Sequence, residues 1–485
     1  MTLREKAING ASWSLAGSLI QSLSSFLIGI ILARILTPQE YGLIAMAGVF
    51  IYVTYVFVDS GFSAALVQKQ ECSSADYSTV FYLNLAVSLF FFLIIFFSAG
   101  AIADFYKEPQ LLSIIRTLGF LIILYALSIV QQSIITKQIN FKLLNLINIS
   151  SQIASGIVGI TLAYKGHGVW SLVWKTLLNQ VFVNIQLWVF NRWKPTLEFS
   201  RQSLKEMFSY SSKLLISGII NRIYDQLYSL VIGKFFSARE LGLYNRANQF
   251  KNLPSESLSG AIMSVSFPVF SQIQHDKIRM KHVAKKIVKS TMFVTIIAMS
   301  GMAAISRQLI VTLIGEKWSD ATPYLQLLCI VGLLYPLHPI NLNIITSLGR
   351  SDLFLRLEII KKTLAVPIIL IGIFTTVTNM IFGMIAVSVI AIFINSYYTK
   401  TLINYGIKEQ FRDISSSLYL GLIMGLIVFS IGWLLKESDA HLMILLIQVF
   451  TGILITITIS LIFKLDEFME FKTILLTKFI KRNNL

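Results

Sequence analysis

The chain has 485 residues, 55% of them apolar and 13% charged, with a net charge of +17. A soluble protein carries about twice that charged fraction, so an ordinary soluble domain is excluded. Cys72 and Cys329 are the only cysteines, too few for a disulfide framework or a thiolate metal site, and neither cofactor nor metal is expected.

Apolar runs of about 20 residues or more, enough to cross roughly 30 Å of hydrocarbon as helices, recur along the whole sequence. They predict an all-α polytopic membrane protein with about fourteen transmembrane helices, bounded to a few residues each. The first half supplies spans over 9–33, 41–66, 77–103, 110–136, 143–164 and 168–190. The first run is too long for a signal-peptide core and reads as a retained helix. The second half supplies 207–232, 243–272, 287–314, 321–347, 354–377 and 380–403, and then 414–435 and 441–463 follow. Pro254 and Pro268 fall in the eighth span and Pro323, Pro336 and Pro339 in the tenth, so both should kink. The tail 464–481 sets Leu465, Phe468, Met469, Leu475, Leu476 and Phe479 on one face, the pattern of an interfacial amphipathic helix.

No connection exceeds roughly twenty residues, which leaves no soluble domain for a water-exposed active site. With the N-terminus inside, one membrane face collects roughly 25 Lys and Arg and the other roughly eight. Arg192, Lys194, Arg201, Lys205 and the run HDKIRMKHVAKK (275–286) lie on the basic side. That asymmetry places both termini in the cytoplasm, and it reads as topology against anionic lipid, not as nucleic-acid binding.

One stretch is written twice. ILARILTPQEYGL (31–43) returns two hundred residues later as VIGKFFSARELGL (231–243), matching Arg34 with Lys234, Glu40 with Glu240, Gly42 with Gly242 and Leu43 with Leu243. Without gaps the match extends to Ser12/Ser212, Leu15/Leu215, Ile20/Ile220, Leu27/Leu227, Ala47/Ala247 and Phe50/Phe250, and IITKQINFKLLNL (134–146) is echoed by IITSLGRSDLFLR (344–356). Each copy holds an even number of helices, so the copies enter from the same side as parallel repeats, the layout of transporters that bind substrate between two halves. The expected domains are a six-helix lobe (1–190), a basic cytoplasmic linker (191–206), a second six-helix lobe (207–403), helices thirteen and fourteen (404–463) and the amphipathic tail (464–485).

LREKAINGASWS at the start, LARILTPQEYGL, DSGFSAALVQKQ (59–70), FPVFSQIQ (267–274) and GEKWSDATPYLQLLCIVGLL (315–334) carry a resemblance. The chain resembles bacterial polysaccharide and O-unit flippases of the Wzx type, closest to the colanic-acid and exopolysaccharide kind. These belong to the multidrug/oligosaccharidyl-lipid/polysaccharide exporter superfamily. The match runs through the twelfth span, on scaffold motifs that do not identify the sugar. It implies transfer of undecaprenyl-diphosphate-linked oligosaccharide from the cytoplasmic to the periplasmic leaflet of the bacterial inner membrane. It further implies two lobes in a V around a cationic central cavity, alternating access, and a lipid-tail groove involving the last two helices. Lipid-linked oligosaccharide and membrane lipid are the implied partners, with polysaccharide polymerase and chain-length machinery as candidates.

Ionised groups at bilayer depth are costly and should face a lumen or a partner. Eight basic residues remain inside spans (Arg116, Lys175, Lys213, Arg222, Arg246, Lys251, Lys361 and Lys362), with the acids Asp59, Asp225, Glu256 and Glu358. The cationic excess suits a diphosphate. Arg222 and Asp225, three residues apart mid-helix, are the leading substrate-binding candidates, since the first copy has Ser22 and Ser25 there, against the simpler reading of a self-neutralising structural pair. Arg246 and Lys251 stand opposite Met46 and Ile51 of the first copy, and Lys175 sits beside Trp170 and Trp174. These three complete the expected lumen set, against the simpler readings of snorkelling and interfacial anchoring. Asp59 heads DSGF near the end of the second span, as a gate or ion-coupling group or as a helix-end contact. His338 reads as a hydrogen-bonded core residue, and Gly421 with Gly425 as a close helix contact.

No P-loop, metal spacing or nucleophile constellation is present, so no enzymatic activity is expected. A membrane glycosyltransferase would need a larger loop. A drug or cation exporter of the same superfamily would favour an acidic pocket, and a peptidoglycan-precursor flippase is the nearer rival.

Overall fold

The computed structural model describes residues 3–435, 438, 440–469 and 473, with backbone alone at 3–12, 14, 15, 209, 210, 213 and 256–265. Helices follow one another without a strand among the described residues. They are α1 (Leu3–Ile35), α2 (Pro38–Asp59), α3 (Phe62–Gln68), α4 (Ser74–Tyr106), α5 (Leu111–Lys137), α6 (Phe141–Tyr164), α7 (Val169–Phe190) and α8 (Arg201–Phe235). Then come α9 (Ala238–Gln272), α10 (Lys277–Ile314), a 3-10 turn at Glu316–Ala321, α11 (Thr322–Leu334), α12 (Leu337–Ser347), α13 (Ser351–Ile373), α14 (Val377–Ile403), α15 (Ile407–Leu434) and α16 (His441–Ile462). An all-helical chain is what hydrocarbon demands, because each peptide group must find its partner inside its own segment.

Every expected span has a helical counterpart, but ten segments among the described residues are long and apolar enough to cross a membrane, against the fourteen expected. The four that fall short are α7, α8, α9 and α13. They carry the charges of interest, Lys175, Arg222 with Asp225, Arg246 with Lys251, and Glu358 with Lys361 and Lys362. α7 adds Asn179, Gln180, Asn184 and Gln186. Polar faces lower their hydropathy. Elsewhere, Leu23 and Leu27 of α1 are each 60% exposed and Phe450 of α16 is 69% exposed, a surface that suits lipid and not water.

The second span is interrupted. α2 ends at Asp59, Ser60 and Gly61 both adopt left-handed backbone (φ 48° and 75°), and α3 restarts at Phe62. A methyl on Gly61 would also meet the Ser211 carbonyl oxygen at 2.8 Å, so both conformation and space require glycine. The tenth span breaks at Tyr335–Pro336 into α11 and α12, as its prolines predict, whereas α9 runs helical through Pro254 and Pro268.

Two differences concern basic stretches. The run 275–286 is mostly helix, because Asp276 caps α10 by accepting from Arg279 N–H at 2.9 Å. Its lysines meet acids: Lys281 pairs with Glu409 at 2.7 Å, Lys285 with Glu409 as well, and Lys289 approaches Asp466 and Glu467 at 3.9 and 4.0 Å. The segment 191–200 is extended and tied to α4 by the N–H groups of Thr196 and Ser200, which donate to Ser78 and Thr79 at 2.9 Å each, while 201–206 already belongs to α8. Of the proposed tail helix, Leu475, Leu476 and Phe479 lie outside the described residues.

The chain forms two compact units, Met1–Asn245 and Arg246–Leu485. In the first, α1 packs on α6, α4 on α5, α5 on α7, and α8 along α2, α3 and α4. Phe62, Leu66, Val80, Phe81, Val130, Ile134 and Met207 form one of its cores. In the second, the long α10 is the hub for α11, α15 and α16, and α14 joins α11, α12 and α13. Gly421 packs on Ile296 and Ser300 of α10, and Gly425 on Ser300, the close contact read from their spacing.

The repeated motif proves to be a pair of helix starts. Thr37 and Glu40 make a capping box on α2: Glu40 Oε2 accepts from Thr37 N–H at 2.6 Å, and Thr37 Oγ1 accepts from Glu40 N–H at 3.4 Å. Ser237 does the same for α9, accepting from Glu240 N–H at 3.1 Å. Both starts lie in the first unit and abut through their glycines. A Cβ on Gly42 would fall 1.7 Å from the Ala238 carbonyl oxygen, and one on Gly242 1.9 Å from that of Pro38.

Two predictions follow from this packing. Gly42→Ala and Gly242→Ala should each lower the thermal midpoint of the detergent-purified protein, corresponding to about 2 kcal/mol or more, since the obstacle is backbone. Gly100→Ala, whose methyl would meet nothing nearer than 4.0 Å, should melt like wild type; equal melting of all three would refute the contact. Asp59→Ala should cost about 1 kcal/mol by uncapping α3, while Asp59→Asn, an equal cap, should cost little. Indistinguishable melting of the two Asp59 variants would show that the cap contributes nothing.

Candidate functional site

α8 runs antiparallel along α2, and small residues set the register. Gly61 backs on Ser211, Gly218 on Val56, and Gly233 on Met46. Arg222 lies one turn beyond Gly218, and Tyr52 one turn before Val56, so the two come together. The guanidinium is within electrostatic reach of the Tyr52 and Tyr125 phenols, and Tyr125 also senses the Asp59 carboxylate. Tyr125 stacks on Tyr55 with ring centroids 4.3 Å apart. One surface of the first unit therefore joins Arg222 of α8, Tyr52, Tyr55 and Asp59 of α2, and Tyr125 of α5.

Asp59 sits at the break, where it accepts from Ser63 N–H at 3.2 Å and from Ser63 Oγ–H at 2.9 Å. It thus caps α3. Beside it opens a cavity of about 510 Å³ between α3 and α5, lined by Asp59, Ser63 and Gln68 on one side and Tyr125, Gln132, Ser133 and Thr136 on the other. The α5 residues recur at i, i+7, i+8 and i+11, one helical face. Sequence reasoning missed them, because single uncharged polar residues in an apolar helix do not stand out. The signal was their shared face.

Below the cavity, Lys137 Nζ donates to the carbonyl oxygens of Leu66, at 3.3 Å, and of Lys69, and lies 3.0 Å from Cys72 Sγ. Lys69 bridges Asp76 at 3.0 Å and Glu206 at 3.3 Å, and the Asp76 carboxylate holds its ammonium above the ordinary lysine value. These contacts fasten the far end of α3 to α4, α5 and α8.

The other candidate charges differ from one another in burial and contacts. Asp225 is exposed. Lys175 rests its stem on Gly159, where a methyl would meet its Cβ at 2.7 Å, at the α6–α7 seam. In the second unit, Arg246 is buried, donates to Gln249 Oε1 at 2.7 Å and lies 5.5 Å from the centre of the Trp318 ring. Lys251 lays its stem against Gly332. Arg116 covers the Phe96 ring at 4.9 Å, and Glu358 is paired with Lys361. His338 is a core residue, with Nε2 3.0 Å from Ser388 Oγ and Nδ1 3.3 Å from Asn395. A second cavity, about 320 Å³, is walled by apolar residues of α10, α15 and α16, among them Met302, Met424, Val428 and Ile453.

The chain as a whole is similar to several known proteins. The chain is 26% identical over 355 residues to the teichuronic acid biosynthesis protein TuaB of Bacillus subtilis (strain 168), covering 73% of each chain. It is 26% identical over 450 residues to the lipopolysaccharide biosynthesis protein WzxC of Escherichia coli (strain K12), covering 91% of this chain and 90% of that one. Among solved structures, the lipid II flippase MurJ in an inward closed conformation shares the fold, with a TM-score of 0.73 over 95% of this chain and 99% of its own at 14% identity. Residues 31–323 match the family described as polysaccharide biosynthesis protein, and this multi-pass membrane chain belongs to that family.

Proposed function

We propose that the protein is a flippase. It carries undecaprenyl-diphosphate-linked oligosaccharide repeat units from the cytoplasmic to the periplasmic leaflet of the bacterial inner membrane for surface polysaccharide assembly. Family membership and the naming of TuaB and WzxC for polysaccharide biosynthesis support the pathway, and the fold supports a transporter and not an enzyme. The observation that carries the reading is Arg222. A guanidinium held half-buried on a polar helix beside phenols is placed for the diphosphate, whose oxygens it can meet bidentately.

In this mechanism the diphosphate and glycan leave water for the polar surface of the protein while the polyprenyl tail stays in the bilayer. The apolar cavity of α10, α15 and α16 is a seat for tail carbons. Alternating access then exposes the headgroup on the other side. Arg246 and Lys251 add positive charge on the second unit, Lys175 adds it on the first, and both termini face the cytoplasm by the positive-inside asymmetry.

A host deleted for its own copy and complemented with Arg222→Gln should make about tenfold less surface polysaccharide or lower still, the scale of a lost charge-assisted bond. Complete lipid-linked repeat units should accumulate on the cytoplasmic leaflet, read by extraction and mass analysis, with protein level in the membrane unchanged. Wild-type polymer from that variant would overturn the assignment of Arg222.

A further inference from the structure

We infer that the cavity between α3 and α5 is a saccharide subsite, taking the sugar residue next to the phosphate that Arg222 engages. The inference rests on the flippase reading and names the part of the substrate this surface recognises.

Lining a cavity with polar groups inside a membrane helix is costly. α5 is an apolar helix that nevertheless places Tyr125, Gln132 and Thr136 on one face, opposite Asp59 and Gln68. Polar side chains in a membrane helix are retained where they meet a partner, a ligand or water. The cavity, about 510 Å³, falls within the roughly 300–1,000 Å³ of small-molecule sites.

The chemistry of the lining then selects the ligand. Gln132 and Gln68 each offer donors and an acceptor, Thr136 and Tyr125 a hydroxyl that does either, and Asp59 acceptors beyond the pair that Ser63 uses. Donors and acceptors set among the apolar Ala64, Val67 and Ile129, with one aromatic side chain, match a pyranose, whose hydroxyls donate and accept and whose C–H face is apolar. Phosphate does not suit it, because among the described residues of the lining the one carboxyl or basic group is that of Asp59. A multivalent metal does not suit it either, since no cluster of three His, Cys, Asp or Glu exists among the described residues.

Position supplies the last step. Tyr125 lies in the electrostatic reach of both Asp59 and Arg222, so the hydroxyl-binding cavity and the guanidinium flank one side chain. A sugar 1-phosphate has that same polarity, with hydroxyls at one end and the anion at the other.

The test uses the full-length protein in nanodiscs and saturation-transfer NMR, which reads the sugar ring protons directly, with glucose 1-phosphate, N-acetylglucosamine 1-phosphate and glucose as probes. Wild type should transfer saturation to the ring protons. Gln132→Leu and Thr136→Val should each reduce that transfer about threefold to tenfold, the worth of a hydrogen bond, with unchanged melting. Arg222→Gln should weaken the two sugar phosphates and spare glucose. Absence of transfer in wild type, or wild-type transfer in both cavity variants, overturns the subsite. Stabilisation of wild type by sodium against choline, lost in Gln132→Leu while sugar transfer persists, makes the cavity a cation site and also overturns it. If Arg222→Gln abolishes export while the cavity variants bind sugar normally, the flippase reading stands and this inference fails. Export surviving Arg222→Gln removes the phosphate anchor instead.

Discussion

The Ala238 carbonyl oxygen occupies the place where Gly42 would carry a side chain, and the Pro38 carbonyl oxygen does the same to Gly242. Two helix starts are thereby pressed backbone to backbone, which no residue with a Cβ permits. In lipid, helices gain little from hiding apolar surface from one another, because acyl chains are as apolar as leucine. Close approach and dispersion take over that role. The contact also explains why the sequence spells one motif twice. Each copy starts a helix with a side-chain cap, a glutamate in the first turn and a glycine five or six residues on, and each glycine receives the other copy's backbone. From this junction α8 runs back along α2, with Gly233, Gly218 and Gly61 marking successive close approaches. The depth of Arg222 is a consequence of that register.

The second constraint is the interruption of the helix ladder at Ser60 and Gly61. Water would satisfy such a break on the surface of a soluble protein. Here the protein does it: Ser60 N–H closes α2 on Val56, Asp59 takes the Ser63 N–H, and Lys137 collects carbonyl oxygens at the end of α3. A seven-residue helix thus has both ends held by charged side chains. Those charges cost less at the break than in a continuous helix, because each satisfies peptide groups that hydrocarbon would leave bare. The polar cavity against α5 opens beside the break. Structure and candidate site share one cause.

Much of this was legible. Runs of apolar residues located every span, Pro336 marked the break in the tenth, and the repeat exposed the glycines whose contact organises the first unit. Helix starts were less legible. α10 begins ten residues before its apolar run because Asp276 caps it and because Lys281 and Lys285 find Glu409, a residue more than a hundred positions away. Hydropathy cannot see such a partner. The same limit applied to the site. Charge singled out Arg222 and Asp59, but Gln132 and Thr136 gain meaning only when α3 lies opposite them. Length and composition qualify ten of the helical segments among the described residues as spans, since α7, α8, α9 and α13 carry amides and charges that lower their hydropathy.

The charges inside the helices differ in what their neighbours do for them. Lys361 is paired with Glu358, so each largely cancels the other's field. Arg116 and Arg246 lie over the Phe96 and Trp318 rings, and Arg246 also donates to Gln249, arrangements that hold a cation by packing and π charge. Arg222 has Tyr52 and Tyr125. Phenols are neutral at physiological pH and can turn a hydroxyl toward either charge sign, so they steady the guanidinium without neutralising it. For any half-buried cation, the low dielectric that makes it costly also strengthens its attraction to an anion. Under the proposed function, a ligand that joins a phosphate to a ring of hydroxyls would meet this guanidinium and these phenols together. On the flippase reading proposed above, charge and polarity on the α2–α5–α8 surface meet one headgroup.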